Sequence, residues 1–256
     1  MTFNAGDFDR FPRAEQIAQV VNAAGLPDII LFQELHDGYK TNELLGLLKY
    51  PYHAAVPYRD IQGDSIAIFS RYPIENTDRI YFKKSSDRSA ALCTVVRPYG
   101  IPILVCTVHL DEIEPKQRQK NGYVKQPLSQ TCHQIKTEIF GMTSRSLSVN
   151  ELIAWIESKG YRRVIVGGDF NTIPFSSAIR EMSRKYDDSL WPSWDYFRGT
   201  YFKIISPVLP RIDYIFHTSE LNVTASRIVR QSPGDHYPVL ATFHVEVEDQ
   251  NAGKNT

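Results

Sequence analysis

Apolar and polar positions follow two rhythms along this chain, and the rhythm changes often. Ile17, Val20, Val21 and Ala24 recur at helical spacing within residues 12–25, and Gly25 supplies a stop, so the pattern predicts a first helix. Residues 28–34, "DIILFQE", form an unbroken apolar run with a polar tip, as a strand buried on both faces does. A short helix is expected over 41–50. Strands follow over 65–70, 74–82, 90–98 and 101–109, the last two joined by "YG" as a hairpin. Residues 148–160 read as a helix, with Ser148 as N-cap, Glu151 completing a capping box and Gly160 as the stop. A strand over "RRVIVGG", a helical piece over 176–185 and strands over 211–217 and 238–248 complete the pattern. Residues 111–150 are the least regular stretch, and "WPSWDYFRGTYF" (191–202) is aromatic and irregular. With no repeat or linker, the economical organisation is one domain over 1–247 and a polar tail over 248–256. Its class is mixed α and β with largely antiparallel pairing.

The strands end in residues that a core rejects. "ILFQE" closes on Glu34, "LVCTVH" on His109 and "VIVGGDFN" on Asp169 and Asn171, while Asp235 and His236 stand just before the last strand and Asp213 sits inside "RIDYIF". An ionised carboxylate is very costly to bury alone, so each of these needs a cation, a donor or water. Singly each has an ordinary reading: Glu34 as a loop cap, His109 as a satisfied core histidine, Asp213 as a partner of Arg211. Their joint arrival at the rims of a sheet favours a shared site. On an extended chain Asp169 and Asn171, two positions apart, would face the same side. Hard cations such as Mg²⁺ take oxygen ligands alongside substrate phosphate. Acids, amides and histidines without a serine or cysteine nucleophile motif fit metal-assisted hydrolysis of a phosphoester.

Composition narrows this a little. The chain has 256 residues and net charge zero, so any contact with a polyphosphate backbone must come from local patches. One such patch runs from Lys116 to Lys136, with five basic residues and no acidic one. Cys93, Cys106 and Cys132 are odd in number and lack metal spacing. Cys93 and Cys106 sit in apolar runs as small hydrophobes, which slightly favours a reducing, cytoplasmic setting. No stretch is long and apolar enough to span a membrane, and no signal peptide is visible. Asn4 follows the start so closely that an upstream leader or anchor is conceivable.

In order, "FNAG", "FQEL", "GDSIAIFSRYPI", "TVHL", "GGDFN", "RIDYIF" and "GDHYPV" resemble the motifs of the endonuclease/exonuclease/phosphatase superfamily, from Asn4 to about Phe243. The resemblance implies an α+β fold, a four-layer α/β/β/α sandwich with two facing mixed sheets, and one or two Mg²⁺ or Mn²⁺ ions. It implies Glu34 as the main metal carboxylate, with Asn4 and Asp235 beside it. Asp169 would activate the attacking water, Asn171 would hold water and phosphate, and His236 would donate to a phosphate oxygen. His109 would meet the phosphate or leaving group, oriented by Asp213, while Asp64 would orient the last histidine. Gly234 replaces the serine usual before the Asp-His pair, so a loop hydrogen bond is expected to be missing.

For the substrate, the first expectation is a nucleic acid cleaved as a phosphodiester by a monomeric enzyme. Arg59, Lys83, Lys84, Arg88, Lys116 and Arg118 would track the backbone, and Tyr58, Trp191, Trp194, Tyr196 and Phe197 would stack on bases. The alternative is a phosphatase or phosphodiesterase acting on phosphoinositides, sphingolipid head groups or a small phosphorylated metabolite. An inactive binding module should have lost one of Glu34, Asp169, Asn171, Asp235 or His236, and all are present.

Overall fold

The computed structural model describes residues 1–6, 13–59, 64–86, 88–112, 128–202 and 210–246. One six-stranded sheet has the order β11-β12-β1-β2-β4-β3, built from β1 (Thr2–Asn4), β2 (Ile29–His36), β3 (Tyr52–Pro57), β4 (Asp64–Ser70), β11 (Asn222–Ile228) and β12 (Val239–His244). The other has the order β5-β6-β7-β8-β10-β9, from β5 (Ile74–Tyr81), β6 (Ala90–Val96), β7 (Ile103–His109), β8 (Val164–Asp169), β9 (Asp187–Asp188) and β10 (Asp213–His217). Most neighbours are antiparallel. The exceptions, β1 with β2 and β7 with β8, are each connected through helices, as parallel neighbours commonly are.

The sheets face one another. Leu31, Ile66 and Ile68 from the first meet Leu92, Val96 and Val105 from the second between them. The outer face of the first sheet packs under α1 (Ala14–Ala23) and α2 (Asp37–Leu48), through Phe3, Ile30, Phe32 and Phe69 against Ile17, Val21 and Leu44. The outer face of the second packs under α4 (Ser144–Lys159) and α5 (Ser177–Ser183), through Val108, Val166 and Phe216 against Leu152, Ile156 and Ile179. The fold is thus a four-layer α/β/β/α sandwich.

The two glycines of "VIVGGD" permit close approach beneath the functional residues, Gly167 to the facing sheet and Gly168 to the neighbouring strand β7. A Cβ on Gly167 would lie 2.6 Å from Leu31 Cδ1 of the facing sheet, and one on Gly168 would lie 1.9 Å from the Val108 carbonyl oxygen. Polar links cross the same gap, with Gln33 Nε2 donating to Thr107 Oγ1 at 2.8 Å. Small and polar residues therefore bring the end of β2 against the ends of β7 and β8.

Several local expectations need correction. α4 begins a turn before the expected Ser148. Its cap is Thr143, whose hydroxyl accepts from Ser146 N while the Ser146 hydroxyl accepts from Thr143 N, and Ser148 is buried within the helix. Part of the "irregular" 111–150 stretch is a further helix, α3 (Leu128–Phe140). Strands β1, β3, β9 and β11 also went unanticipated. Cys93 and Cys106 are not separate thiols. They face one another across β6 and β7, with Cα atoms 4.1 Å apart, and are joined as a disulfide. No helix among the described residues is long and apolar enough to cross a membrane.

Candidate active site

Strand ends from both sheets converge at one end of the sandwich. Register sets His109 beside Asp169 across β7 and β8, and Asp169 beside Asp213 across β8 and β10. In the facing sheet Asn4 ends β1 next to Gln33, one residue from Glu34.

Asp169 is the hub. Its Oδ1 accepts from the Asn171 backbone N–H at 2.8 Å, and its Oδ2 accepts from Asn4 Nδ2 at 3.0 Å. The same Oδ2 lies 3.8 Å from His109 Nε2 and 3.7 Å from His236 Nε2. The pairing of Asp169 with Asn171 is therefore a side-chain-to-backbone turn rather than the extended geometry expected. Asn171 has φ 49°, left-handed backbone that asparagine tolerates better than most residues. Its amide nitrogen donates to the Leu110 carbonyl at 2.9 Å and sits 3.3 Å from His109 Nε2.

Glu34 occupies a bulge of β2 between Phe32 and Leu35, with φ 54°. A glutamate in that conformation is strained and must be held by its surroundings. Its N–H donates to the Tyr58 hydroxyl at 3.2 Å, and its Oε1 accepts from Asn4 Nδ2 at 3.1 Å and lies 3.4 Å from His109 Nε2. Asn4 uses its own oxygen to accept from Gly6 N, so it serves as a donor between two carboxylates. Gly6 is required by this packing, because a Cβ there would fall 2.3 Å from Glu34 Oε2. Gly6→Ala is expected to push the carboxylate aside and raise the Mg²⁺ or Mn²⁺ concentration for half-activation roughly 10- to 100-fold, with little change in melting temperature. An unchanged metal titration would contradict the role of Glu34.

His236 Nδ1 is bonded to Asp213 Oδ2 at 2.9 Å. Asp213 thus orients His236, whereas the resemblance implies that it orients His109. The Asp64 side chain lies outside the described residues, as do Lys116 and Arg118. His109 packs instead against Tyr58, ring centroids 5.4 Å apart, and its Nδ1 has no hydrogen-bond partner among the described residues. Tyr58 is buried behind the site and cannot stack on a base. Asp235 Oδ1 lies 3.9 Å from His236 Nε2. The loop of Gly234 is pinned despite the missing serine, because Gly234 N donates to Ser232 Oγ at 3.2 Å and Tyr237 N to the Thr200 carbonyl at 2.7 Å.

Burial drives the electrostatics. It pushes the Asp169 carboxyl up to about 7, against the opposing pull of His236, His109 and the Asn4 amide. Burial also raises Glu34, but His109, the Asn4 donor, His236 and Arg88 together outweigh it, and the net shift is downward. For His236 burial favours the neutral ring, yet Asp213, Asp169 and Asp235 prevail and hold its pKa well above the ordinary value. Tyr201, whose ring lies 5.0 Å from that of His236, is raised by burial and by Asp235, Glu112, Asp169 and Glu34. No sequence signal marked Tyr201 as a neighbour of the site, and Tyr58 was expected there only as a base-stacking residue.

Of the expected cationic rim, Arg88 reaches the field of Glu34 and pairs with Glu112 at 3.6 Å. Arg59 lies over the Tyr81 ring at 5.0 Å, and Lys83 occupies the turn after β5. Trp191, Trp194 and Phe197 are exposed, and the ring of their neighbour Tyr196 lies 4.3 Å from the guanidinium of Arg211, two residues before Asp213. A cavity of about 300 Å³ between β5 and the end of α4, lined by Asn76, Asp78, Leu104, Trp155 and Lys159, lies at the opposite end of β7 from His109 and contains no histidine. It is remote from the chemistry.

Residues 1–236 match the Endonuclease/Exonuclease/phosphatase family. The chain belongs to that family. As a member of the endonuclease/exonuclease/phosphatase family it is a metal-dependent phosphoric ester hydrolase. No curated protein sequence matches it. Among solved structures it resembles a functionally unknown conserved protein from Enterococcus faecalis (TM-score 0.71, 18% identity, covering 96% of this chain and 98% of that one). It also resembles D. rerio TDP2 complexed with single strand DNA product (0.70, 16%, 95% and 97%) and a Bacteroides thetaiotaomicron mannosyl-6-phosphatase (0.67, 15%, 95% and 98%). At these identities the likeness is one of fold.

The family's metal fits the residues present. Glu34, His109 and Asp169 each offer a ligand atom within 4.8 Å of the others, and so do Asp169, Asp213 and His236. The second trio is already committed to the bond between His236 and Asp213. The first contains the more accessible carboxylate, Glu34, with its side chain 22% exposed, and the buried Asp169. A divalent cation there would offset the burial of both acids.

Proposed function

We propose that this hydrolase cleaves phosphodiesters of nucleic acid by in-line attack of water, using Mg²⁺ or Mn²⁺. The observation that carries the reading is Asp169 Oδ2, set between Asn4, His109 and His236 at 3.0, 3.8 and 3.7 Å. Glu34 would be the principal ligand, with Asp169 and Asp235 adding negative charge nearby. The bound cation would supply positive charge to the ester's oxygens and leaving group.

The chain's residues perform the rest. Asp169 accepts the proton of the attacking water as its oxygen bonds to phosphorus, and the opposite ester P–O bond breaks. Asn171, set beside His109, would help hold water and phosphate. His236, kept cationic by Asp213, donates to a non-bridging oxygen as charge builds there. His109 faces the phosphate from beside Glu34.

For the substrate, support comes from what adjoins His236. Phe202 and Tyr237 pack with ring planes tilted by 30° and centroids 4.5 Å apart, and the Arg230 guanidinium lies 5.2 Å from the Tyr237 ring. An aromatic and cationic platform next to a phosphate-handling histidine suits a planar base one bond system away from the phosphate. Arg59, Lys83 and Arg88 would receive the backbone on the other rim.

A panel of single-stranded and duplex DNA, RNA, phosphoinositide, sphingomyelin, a sugar phosphate and bis-p-nitrophenyl phosphate tests this. Oligonucleotides should be the best substrates. Phe202→Ala should cost about 1–3 kcal/mol of oligonucleotide binding, roughly 5- to 150-fold in KM, and leave the chromogenic diester nearly unaffected. Equal losses on both, or preference for the monoester or lipids, would favour the alternative phosphatase reading.

A further inference from the structure

We infer that Arg145, Glu138 and Thr172 form a latch that sets the spacing of His109 and Asn171 and so governs turnover; this rests on the hydrolase reading above. None of the three touches the substrate site, and all are buried. The Arg145 guanidinium donates through Nη1 to the carbonyl oxygens of Asp111, at 2.8 Å, and Glu112, at 3.1 Å. Its Nε donates to Glu138 Oε2 at 3.2 Å, and its Nη2 to Glu138 Oε1. Glu138 Oε2 also accepts from the Thr172 hydroxyl at 2.6 Å.

These bonds close a ring. Asp111 and Glu112 follow His109 and Leu110 out of β7, and Thr172 follows Asn171 out of β8. Asn171 Nδ2 returns to the Leu110 carbonyl at 2.9 Å and lies 3.3 Å from His109. α3 contributes Glu138 and α4 contributes Arg145, so two helices grip both loops from outside. A buried ion pair is weak evidence for stability, since apolar residues of similar volume often do as well. What an apolar replacement could not do is hold two carbonyls, a carboxylate and a hydroxyl at fixed distances. Arginine's planar fork is suited to that task, and lysine's single ammonium is not. The three are positioning residues.

Thr172→Val, which keeps side-chain shape and leaves the ion pair whole, is the first test. On bis-p-nitrophenyl phosphate it should lower kcat about tenfold while KM and the metal half-activation point hold within about twofold. Arg145→Lys should lower kcat by roughly 10- to 100-fold with the charge retained. Arg145→Met combined with Glu138→Leu should do the same at a melting temperature near that of the parent. Wild-type kcat in Thr172→Val, or rescue by lysine at position 145, overturns the latch. If the double variant fails to fold, those two measurements still decide. Absence of any hydrolysis by the parent protein would instead sink the hydrolase reading, so the two failures are distinguishable.

Discussion

Asp169→Asn is expected to lower kcat by roughly 10²–10⁴-fold on every substrate the protein cleaves, the range a positioned general base contributes. The expectation rests on position and on charge together. Oδ2 of Asp169 is the atom that Asn4, His109 and His236 surround, and in the metal-free protein burial lifts the carboxyl to about 7. The new amide keeps an oxygen for the Asn171 N–H, now 2.8 Å from Oδ1, but loses one bond to Asn4, whose donor would face another donor. The fold should nonetheless hold. Because the folded pKa lies above the ordinary value of 3.8, ionised Asp169 costs stability increasingly as pH rises from there to about 7. Removing the charge relieves that cost, so at pH 8 in chelator the variant should melt no lower than the parent. Near-normal turnover with intact melting would remove Asp169 from the chemistry.

The elements that sequence revealed are those in which a local pattern meets no competitor. "DIILFQE", "ILVCTVH" and "VIVGGD" are apolar runs too long for a surface and too short for a buried helix, and their acidic or histidine tips mark where the core stops. The site's membership was legible for the same reason. Its pairings were not. Asp213 and His236 are far apart in sequence and meet only because β10 lies beside β8 while the loop before β12 folds over it through Thr200. Asn171 could not be read as a left-handed turn residue from "GDFN" alone. The false start of α4 has a clear cause: Ser148 and Glu151 mimic a capping box, while the operative box uses serine at the third position, Ser146. Helix α3 was hidden because "LSQTCHQIKTEIF" carries few apolar residues, and its buried face includes Glu138, an acid whose partner lies on the next helix. The cystine was invisible in composition, since two cysteines in neighbouring apolar strands look the same paired or apart.

Activity is expected to fall on the alkaline side as His236 loses its proton, and Asp213→Asn should bring that fall to lower pH. Burial alone would favour the neutral ring, yet Asp213 at 2.9 Å and Asp169 at 3.7 Å reverse it, so the imidazolium persists well above 6.5. Withdrawing the charge of Asp213 removes the largest of these supports. In kcat at pH 8 the variant should lose roughly 10- to 100-fold, and His236→Ala roughly 10²–10³-fold at all pH values, as loss of one donor to a developing oxyanion does. Stability gives an independent reading of the same proton. A folded pKa above the unfolded value near 6.5 means that the contribution of His236 is complete below that pH and disappears as pH rises through the folded pKa. Melting temperature measured in chelator should therefore decline with alkalinity more steeply in the parent than in Asp213→Asn. If both the alkaline limb and the slope of melting against pH are the same in the two proteins, the bond between Asp213 and His236 does not control the charge on the ring. The donor to phosphate must then be sought elsewhere, with His109 the next residue to test, because its Nε2 lies 3.4 Å from Glu34 and 3.8 Å from Asp169.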